Sequence, residues 1–478
     1  MKRIFILLVF LSWAFSTTIA QQREIHILSV NDMHAQIDNM PQLAAIVDSL
    51  RSIDPELLVI SAGDNRTGNP INDQYEPTSY PMTALMNFIG FDCSGYGNHE
   101  FDSGTSGLAK LIDLSNFPHV NANAHPDPSL GIHQIPYKIF NIDGISIGVL
   151  GIVQLGTHGY PDTHPDNVKG ITFTDPTETI EQYEWLTKRC NVNILLSHLG
   201  YEEDLKMAAQ FPYYDLIISS HSHTQLKGGE LHNGVLITQN TNKLKRCTYT
   251  TLTVVDGKVV KKDAVNIEVE NYPRKNLIAA RLVHFFNENE FFQRVLATAE
   301  TPFTSPEELG VFLCDAIKCE GNADFALWNA GGVRLEKLDA GPITVNEILQ
   351  LDPFGNMCVE MNLTGKELED ILYSCYQNDQ FIFPYTSGNL MSTITFDSMD
   401  KLTIKKMDIR TSDGKKLDKK KIYKVVTNSY TASICDSPRT DQGRVLNIGT
   451  SDMVMKYLEK KGSVSYQGKK CQMILNRN

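Results

Sequence analysis

The stretch Gly97-Asn98-His99-Glu100-Phe101-Asp102 places a carboxamide, an imidazole and a carboxylate directly after a glycine. Five further polar clusters are arranged around it along the chain. These are Asn31-Asp32-Met33-His34, Gly63-Asp64, Ser197-His198, His221 and Ser222-His223. Each stands at the end of an apolar run. Asp, Asn and His are the residue types that bind hard-to-borderline divalent ions. Taken singly, Asn-Asp and Gly-Asp after a strand are ordinary turn formers, and an isolated His-x-His is a weak metal signal. Six such clusters in order are not explained by turns alone.

The apolar runs read as strands. Residues 25–30 alternate and are rich in β-formers; 57–60, 145–153, 192–196, 216–218 and 235–238 follow the same style. Leu43, Ile46, Val47 and Leu50 keep helical spacing between the first two, as do Met82, Leu85, Met86 and Ile89 before the third cluster. Val254-Val255-Asp256-Gly257-Lys258-Val259-Val260 predicts a hairpin with an Asp-Gly turn. The pattern is that of an α/β layered domain with some antiparallel pairing. Most clusters lie just past the carboxyl end of a strand, where open α/β sheets form their ligand crevices.

A chain of 478 residues is too long for one ordinary domain and suits two. Lys2 and Arg3 precede an apolar stretch at 4–15, and Thr18-Ile19-Ala20 supplies small residues before Gln21. That is the pattern of a secretory signal peptide over residues 1–20, expected to be cut after Ala20. No later segment is long enough to span a bilayer, and there is no Cys near the cleavage site to carry a lipid. The expectation is a secreted chain, in a bacterial periplasm, without a membrane anchor. Formal charge is −12, and losing Lys2 and Arg3 takes it to about −14. Such a surface argues against nucleic-acid duplexes and anionic membranes as partners. A phosphate substrate stays open, because bound metals dominate the local field. Nine cysteines are scattered without a C-x2-C pair; most read as buried free thiols, although export permits disulfides.

The order N-D-x-H, G-D, G-N-H-E-F-D, S-H-L-G, H-S-H resembles the calcineurin-like metallophosphoesterases, and the F-D of the third motif resembles their 5′-nucleotidase branch. The likeness runs from about residue 25 to 426. It implies a four-layer sandwich domain over residues 21–272, a linker helix over 273–297 and a second α/β (α+β) substrate domain over 298–478. By motif, Asp32, His34 and His223 would hold one divalent ion, and Asn98, His198 and His221 a second, with Asp64 bridging. The mixed N/O donor set fits Zn²⁺, Mn²⁺ or Fe²⁺. Such an ion pair holds a hydroxide and a phosphoryl oxygen together for in-line attack. His99 resembles the family's catalytic histidine, and Asp102 its partner, on the first turn of a helix.

The second domain carries its own resemblances. Leu327-Trp328-Asn329-Ala330-Gly331-Gly332-Val333-Arg334 is similar to an N-x-G-G-x-R loop. In it Gly331 and Gly332 let the backbone approach a ligand, and Asn329 and Arg334 reach a ribose or phosphate. Asp352-Pro353-Phe354-Gly355-Asn356 resembles the P-F-G-N segment whose Phe stacks on a nucleobase. Two departures stand beside these. The stretch before Glu308, Thr301-Pro302-Phe303-Thr304-Ser305-Pro306, lacks the family's Arg. After Asn428-Ser429-Tyr430 the family's G-G-D-G-F, with its second stacking aromatic, is replaced by Thr431-Ala432-Ser433-Ile434-Cys435. Losing one stacking face is worth about 1–3 kcal/mol per base.

The resemblance implies an exported phosphohydrolase acting on nucleoside 5′-monophosphates or related nucleotides by attack of a metal-bridging hydroxide. One alternative keeps that chemistry on cyclic nucleotides, nucleotide sugars or a non-nucleotide phosphoester. Another is a non-catalytic exported ligand-binding protein, which would have no need of His99 and Asp102.

Overall fold

The structure is a computed structural model and describes residues 22–288, 290–378, 383–398, 403–435 and 437–476. The signal peptide expected over residues 1–20 lies outside the described residues. The first strand, Gln22–Val30, pairs in parallel with Leu58–Ser61 and antiparallel with Arg246–Val255. Cys93–Gly95 and His119–Val120 continue the parallel side, and Lys258–Glu268 closes the other edge. The Asp-Gly turn is as expected: Asp256 and Gly257 take φ of 50° and 75° between Arg246–Val255 and Lys258–Glu268, the left-handed pair that matches strand twist.

A second six-stranded sheet has three parallel pairings at its centre, running through Ile145–Val153, Val192–His198, Leu216–Ile218 and Val235–Thr238. The two sheets pack face to face. Ile25, Ile27, Leu58 and Ile60 from the first meet Ile147, Val149, Ile194 and Leu216 from the second in one buried cluster. Each of these side chains contributes about 1.5–3 kcal/mol on burial. Helices cover both outer faces. Met40–Arg51 turns Leu43, Ile46 and Val47 inward, on the outer side of the first sheet. Tyr201–Gln210 turns Met207 and Ala208 onto Leu195 and Ile217. The order helix, sheet, sheet, helix is the four-layer sandwich.

The segment 273–297 departs from a single helix. It forms Leu277–Asn287 and Glu290–Gln293, and then Val295–Ala299 becomes a strand paired with Gly341–Thr344. Long-range strand pairing sets the conformation from Val295 onward. Beyond it, a five-stranded mixed sheet runs Pro384–Thr386, Phe325–Asn329, Ile422–Asn428, Met357–Thr364 and Arg444–Gly449. Phe325, Leu327, Met361 and Leu363 of this sheet pack against Leu368 and Ile371 of the helix Gly365–Asn378. The helix Pro306–Glu320 opens at the end of the stretch that lacks the family's Arg. Its Leu309, Phe312 and Ile317 share one continuous buried cluster with Leu28 and Leu43 of the sandwich.

Candidate functional site

Asp32 and His34 follow the strand Gln22–Val30, Asp64 follows Leu58–Ser61, and Asn98 and His99 open the 3-10 turn Asn98–Phe101 after Cys93–Gly95. His198 ends Val192–His198, while His221 and His223 follow Leu216–Ile218. Parallel neighbours end at the same edge, so these turns converge. The backbone there is strained. Asp32, His34, Asp64, His221 and His223 have φ of 47°, 45°, 51°, 74° and 55°, a region that non-glycine residues avoid and that concentrates at ligand clamps.

Close approach also requires glycine at two points. A Cβ on Gly63 (φ 90°) would lie 2.3 Å from the Gly97 nitrogen, and one on Gly97 would lie 2.1 Å from Asp64 Oδ1. Glu100, fully buried, ties these turns together. Its carboxylate accepts backbone N–H bonds from Asp64 (2.8 Å), Asn65 (2.9 Å) and Gly97 (2.6 Å).

The donor atoms gather in overlapping sets. Asp32, His34 and His223; His34, Asp64 and His99; and Asp32, Asp64 and His198 each bring three ligand atoms within 4.8 Å of one another. Asp64 sits in two of the sets. His221 is in none of them; its backbone N–H donates to Asp32 Oδ1 at 3.1 Å and its Nε2 lies 3.9 Å from Asp162 Oδ2. His34 Nδ1 meets the Thr67 carbonyl at 3.0 Å and His198 Nδ1 the Ala62 carbonyl at 2.9 Å. With Nδ1 donating, the neutral His34 presents a lone pair on Nε2, as His198 would once a cation displaced its proton. Asn98 Nδ2 donates to the Asp162 carbonyl at 3.1 Å, while the buried Asn98 Oδ1 has no hydrogen bond among the described residues; His198 Nε2 lies 3.3 Å from Asp64 Oδ2.

The electrostatics agree with a cation-binding pocket. Burial would raise Asp64, but His198 and His99 beside it hold its carboxyl well below the usual range. Burial would likewise raise Asp32, and His223 outweighs it. Burial, reinforced by Arg334, keeps His34 well below its ordinary value, and burial with His198 pushes His221 down to about 4. Two anionic carboxylates and two neutral imidazoles are the protonation states that ligate. Burial would lower His198, yet Asp64 drives it up to about 10; its proton marks the demand for positive charge next to Asp64. The residues present therefore fit divalent-cation binding.

His99 Nδ1 lies 2.7 Å from Asp102 Oδ2, whose carboxylate also accepts from Thr67 Oγ1 (2.7 Å) and Thr163 Oγ1 (3.0 Å). Asp102 closes the 3-10 turn, and the helix Gly104–Leu114 begins only after it, so the pairing comes from turn geometry, not from a first helical turn as the sequence suggested. Burial would lower His99, but Asp64 and Asp102 raise it.

From the second domain, Arg334 brings Nη2 to 3.5 Å from both ring nitrogens of His34, and its guanidinium lies 5.6 Å from the Phe354 ring centre. Phe354 stacks on His99, centroids 5.9 Å apart and planes tilted by 24°. Asn329 stands behind this layer: its Oδ1 accepts from Asn428 Nδ2 (3.1 Å) and Thr431 Oγ1 (3.0 Å), and it is 6% exposed. Gly331 and Gly332 lie in the turn Ala330–Gly332, where a Cβ on Gly332 would meet Asn329 Oδ1 at 2.7 Å. The supporting Glu100, Thr67, Thr163 and Asp162 had no assigned role in the sequence. Only Glu100 lies inside a motif; Thr163 and Asp162 come from a long connection with no distinguishing pattern.

Residues 25–225 match the family model of the calcineurin-like phosphoesterases, and residues 287–439 that of the 5′-nucleotidase C-terminal domain. Among curated relatives, "Endonuclease YhcR" of Bacillus subtilis is 27% identical over 466 residues, covering 86% of this chain and 37% of that one. "Trifunctional nucleotide phosphoesterase protein YfkN" of the same organism is 26% identical, covering 86% and 32%. The chain thus spans about a third of the length of these two relatives. A 5′-nucleotidase of Vibrio cholerae is 28% identical over 438 residues, covering 75% and 77%. The crystal structure of a 5′-nucleotidase precursor from Thermus thermophilus superposes with a TM-score of 0.82 at 23% identity, over 95% of this chain and all of that one; it shares the fold. The chain thus carries both family models in the expected order, a calcineurin-like phosphoesterase domain followed by a 5′-nucleotidase C-terminal domain, on a two-part fold.

Proposed function

We propose that the chain is a two-metal phosphohydrolase that releases phosphate from nucleoside 5′-monophosphates or related nucleotides. Asp32, His34 and His223 would hold one divalent cation and Asn98, His198 and His221 the other, with Asp64 between them. The donor chemistry suits Zn²⁺, Mn²⁺ or Fe²⁺. Bound there, the cations would polarise a phosphoryl oxygen and activate a water molecule.

The chain's own groups do the rest. With Nδ1 held by Asp102 at 2.7 Å, His99 keeps a proton on Nε2 for the charge that develops on the leaving oxygen. Arg334, over His34, offers its planar N–H fork to phosphoryl oxygens. Phe354 lies across His99 and shields that face from water. The division into residues 21–272, 273–297 and 298–478 belongs to this reading, as does export. Among the described residues no helix is long and apolar enough to cross a membrane.

The observation that carries the reading is the gathering of Asp32, His34, Asp64, His198 and His223 donor atoms in overlapping sets. A phosphate-release screen of AMP, cyclic nucleotides, UDP-sugars and sugar phosphates with Mn²⁺, Zn²⁺ or Fe²⁺ tests it. No release from any of these, or from a generic aryl phosphate, defeats it.

A second reading keeps the metal chemistry and changes the substrate to a cyclic nucleotide, a nucleotide sugar or a non-nucleotide phosphoester. Phe354 favours it: at 5.9 Å from His99 its inner face is already occupied by imidazole, and the segment that would supply a second aromatic reads Thr431-Ala432-Ser433. Selective AMP turnover at low concentration in the same screen would set this second reading aside.

A further inference from the structure

Cys375 lies on the helix Gly365–Asn378 and Cys435 directly follows the helix Ser429–Ile434. Their sulfurs are 3.5 Å apart across 60 residues of chain. Cys375 is buried and Cys435 half-buried. We propose that these two cysteines form a disulfide that fixes the helix Ser429–Ile434 against the helix Gly365–Asn378. A disulfide needs S–S of ~2.05 Å, so the sulfurs must approach by about 1.5 Å.

The position gives the bond a consequence. The amino end of the short helix holds both loops of the substrate side. Asn428 and Thr431 donate to Asn329 Oδ1, and Ser429 Oγ (2.9 Å) and the Tyr430 N–H (3.1 Å) donate to Asn356 Oδ1. Asn329 opens the loop to Arg334, and Asn356 closes the loop that carries Phe354. At the other end the Arg439 guanidinium braces the last turn, through the Cys435 and Ala432 carbonyls at 2.6 and 2.9 Å. A covalent tie at Cys435 anchors that end as well.

The oxidant is a small-molecule disulfide such as oxidised glutathione. The Cys435 thiolate, the more accessible of the pair, attacks one sulfur of the oxidant, forming a mixed disulfide and releasing one thiolate. Cys375 loses its proton to solvent and attacks the Cys435 sulfur, releasing the second thiolate. Two S–H bonds are lost, one S–S bond is gained and two electrons pass to the oxidant.

The test is independent of the proposed activity. The full chain is equilibrated with oxidised and reduced glutathione, denatured, alkylated and weighed, and its peptides are mapped without reduction. The expected result is two alkyl groups fewer than after dithiothreitol, with the peptides of Cys375 and Cys435 joined and a melting temperature several degrees higher when oxidised. Cys435→Ser should abolish both differences. An unchanged alkyl count, a glutathione adduct in place of the internal bond, or a bond to any other cysteine overturns the proposal. Peptide mapping of the unaltered chain decides even where the variant does not fold.

Discussion

The Nε2 atoms of His34 and His223 face each other across 3.2 Å, and Asp32 Oδ1 lies 3.4 Å from the second of them. Two imidazole nitrogens at that distance are held together by a shared proton or by a shared cation. A cation bound only to the folded state stabilises it by RT ln(1 + [L]/Kd), about 2.7 kcal/mol at a hundredfold excess over Kd. Chelation should therefore lower the melting temperature by several degrees, and Mn²⁺ or Zn²⁺ should restore it. His223→Ala should blunt the response. Differential scanning calorimetry with and without chelator measures both.

His99 is placed to act on the substrate, while Asp102 acts through it. His99→Ala should reduce kcat by roughly 10²–10⁴-fold with metal content unchanged. Asp102→Asn should reduce kcat less and alter the pH profile, because the amide can still accept from Nδ1 but no longer stabilises the imidazolium. Kinetics alongside elemental analysis of the purified variants distinguishes a lost proton donor from a lost metal.

Glu100 has a structural task that a rate assay alone would misassign. Its carboxylate accepts three buried N–H groups, from Asp64, Asn65 and Gly97. An unsatisfied buried donor costs about 1–3 kcal/mol. Glu100→Ala should then destabilise the fold by about 3 kcal/mol or more, and Glu100→Gln, which keeps one acceptor, by less. Urea unfolding of the two variants beside the parent gives the comparison.

His119 supplies an acid-sensitive element away from the metal residues. Burial pushes its imidazole down to about 4, and its Nε2 meets Ser115 Oγ at 2.9 Å. The folded value lies below the unfolded one of about 6.5, so the unfolded chain takes up the proton first. The contribution of neutral His119 is complete above pH ~6.5 and is lost as pH falls towards 4, amounting to about 3 kcal/mol. Carboxyls raised by burial, such as Asp352 at about 6, act with the opposite sign, so the whole-protein profile mixes the two. The difference in unfolding free energy between the parent and His119→Phe, followed from pH 7 to 4.5, isolates the histidine; a difference that does not change with pH contradicts the assignment.

The sequence made the strands and the order of the metal-type residues legible, because alternation and the placement of Asp, Asn and His after apolar runs leave few other readings. It could not reveal that Asp32, His34 and Asp64 stand on left-handed backbone, since their turns contain no local signal for it apart from Gly63. Glu100 was visible as a letter in a motif, but its role depends on two turns more than thirty residues apart meeting over it. The helix expected through 273–297 ends at Asn287, and Val295–Ala299 is a strand because the distant segment Gly341–Thr344 pairs with it. Phe354 was read as a platform for a base; its stacking on His99 depends on how the second domain sits over the first, which no local pattern encodes.

The most direct test of the central claim is phosphate release from AMP by chelator-stripped protein titrated with Mn²⁺ or Zn²⁺. The account predicts no release from the stripped chain and recovery that saturates near two equivalents of metal, with His99→Ala slower by roughly 10²–10⁴-fold at the same loading. Release that is indifferent to metal, or none with AMP or any other phosphoester at full loading, would contradict it.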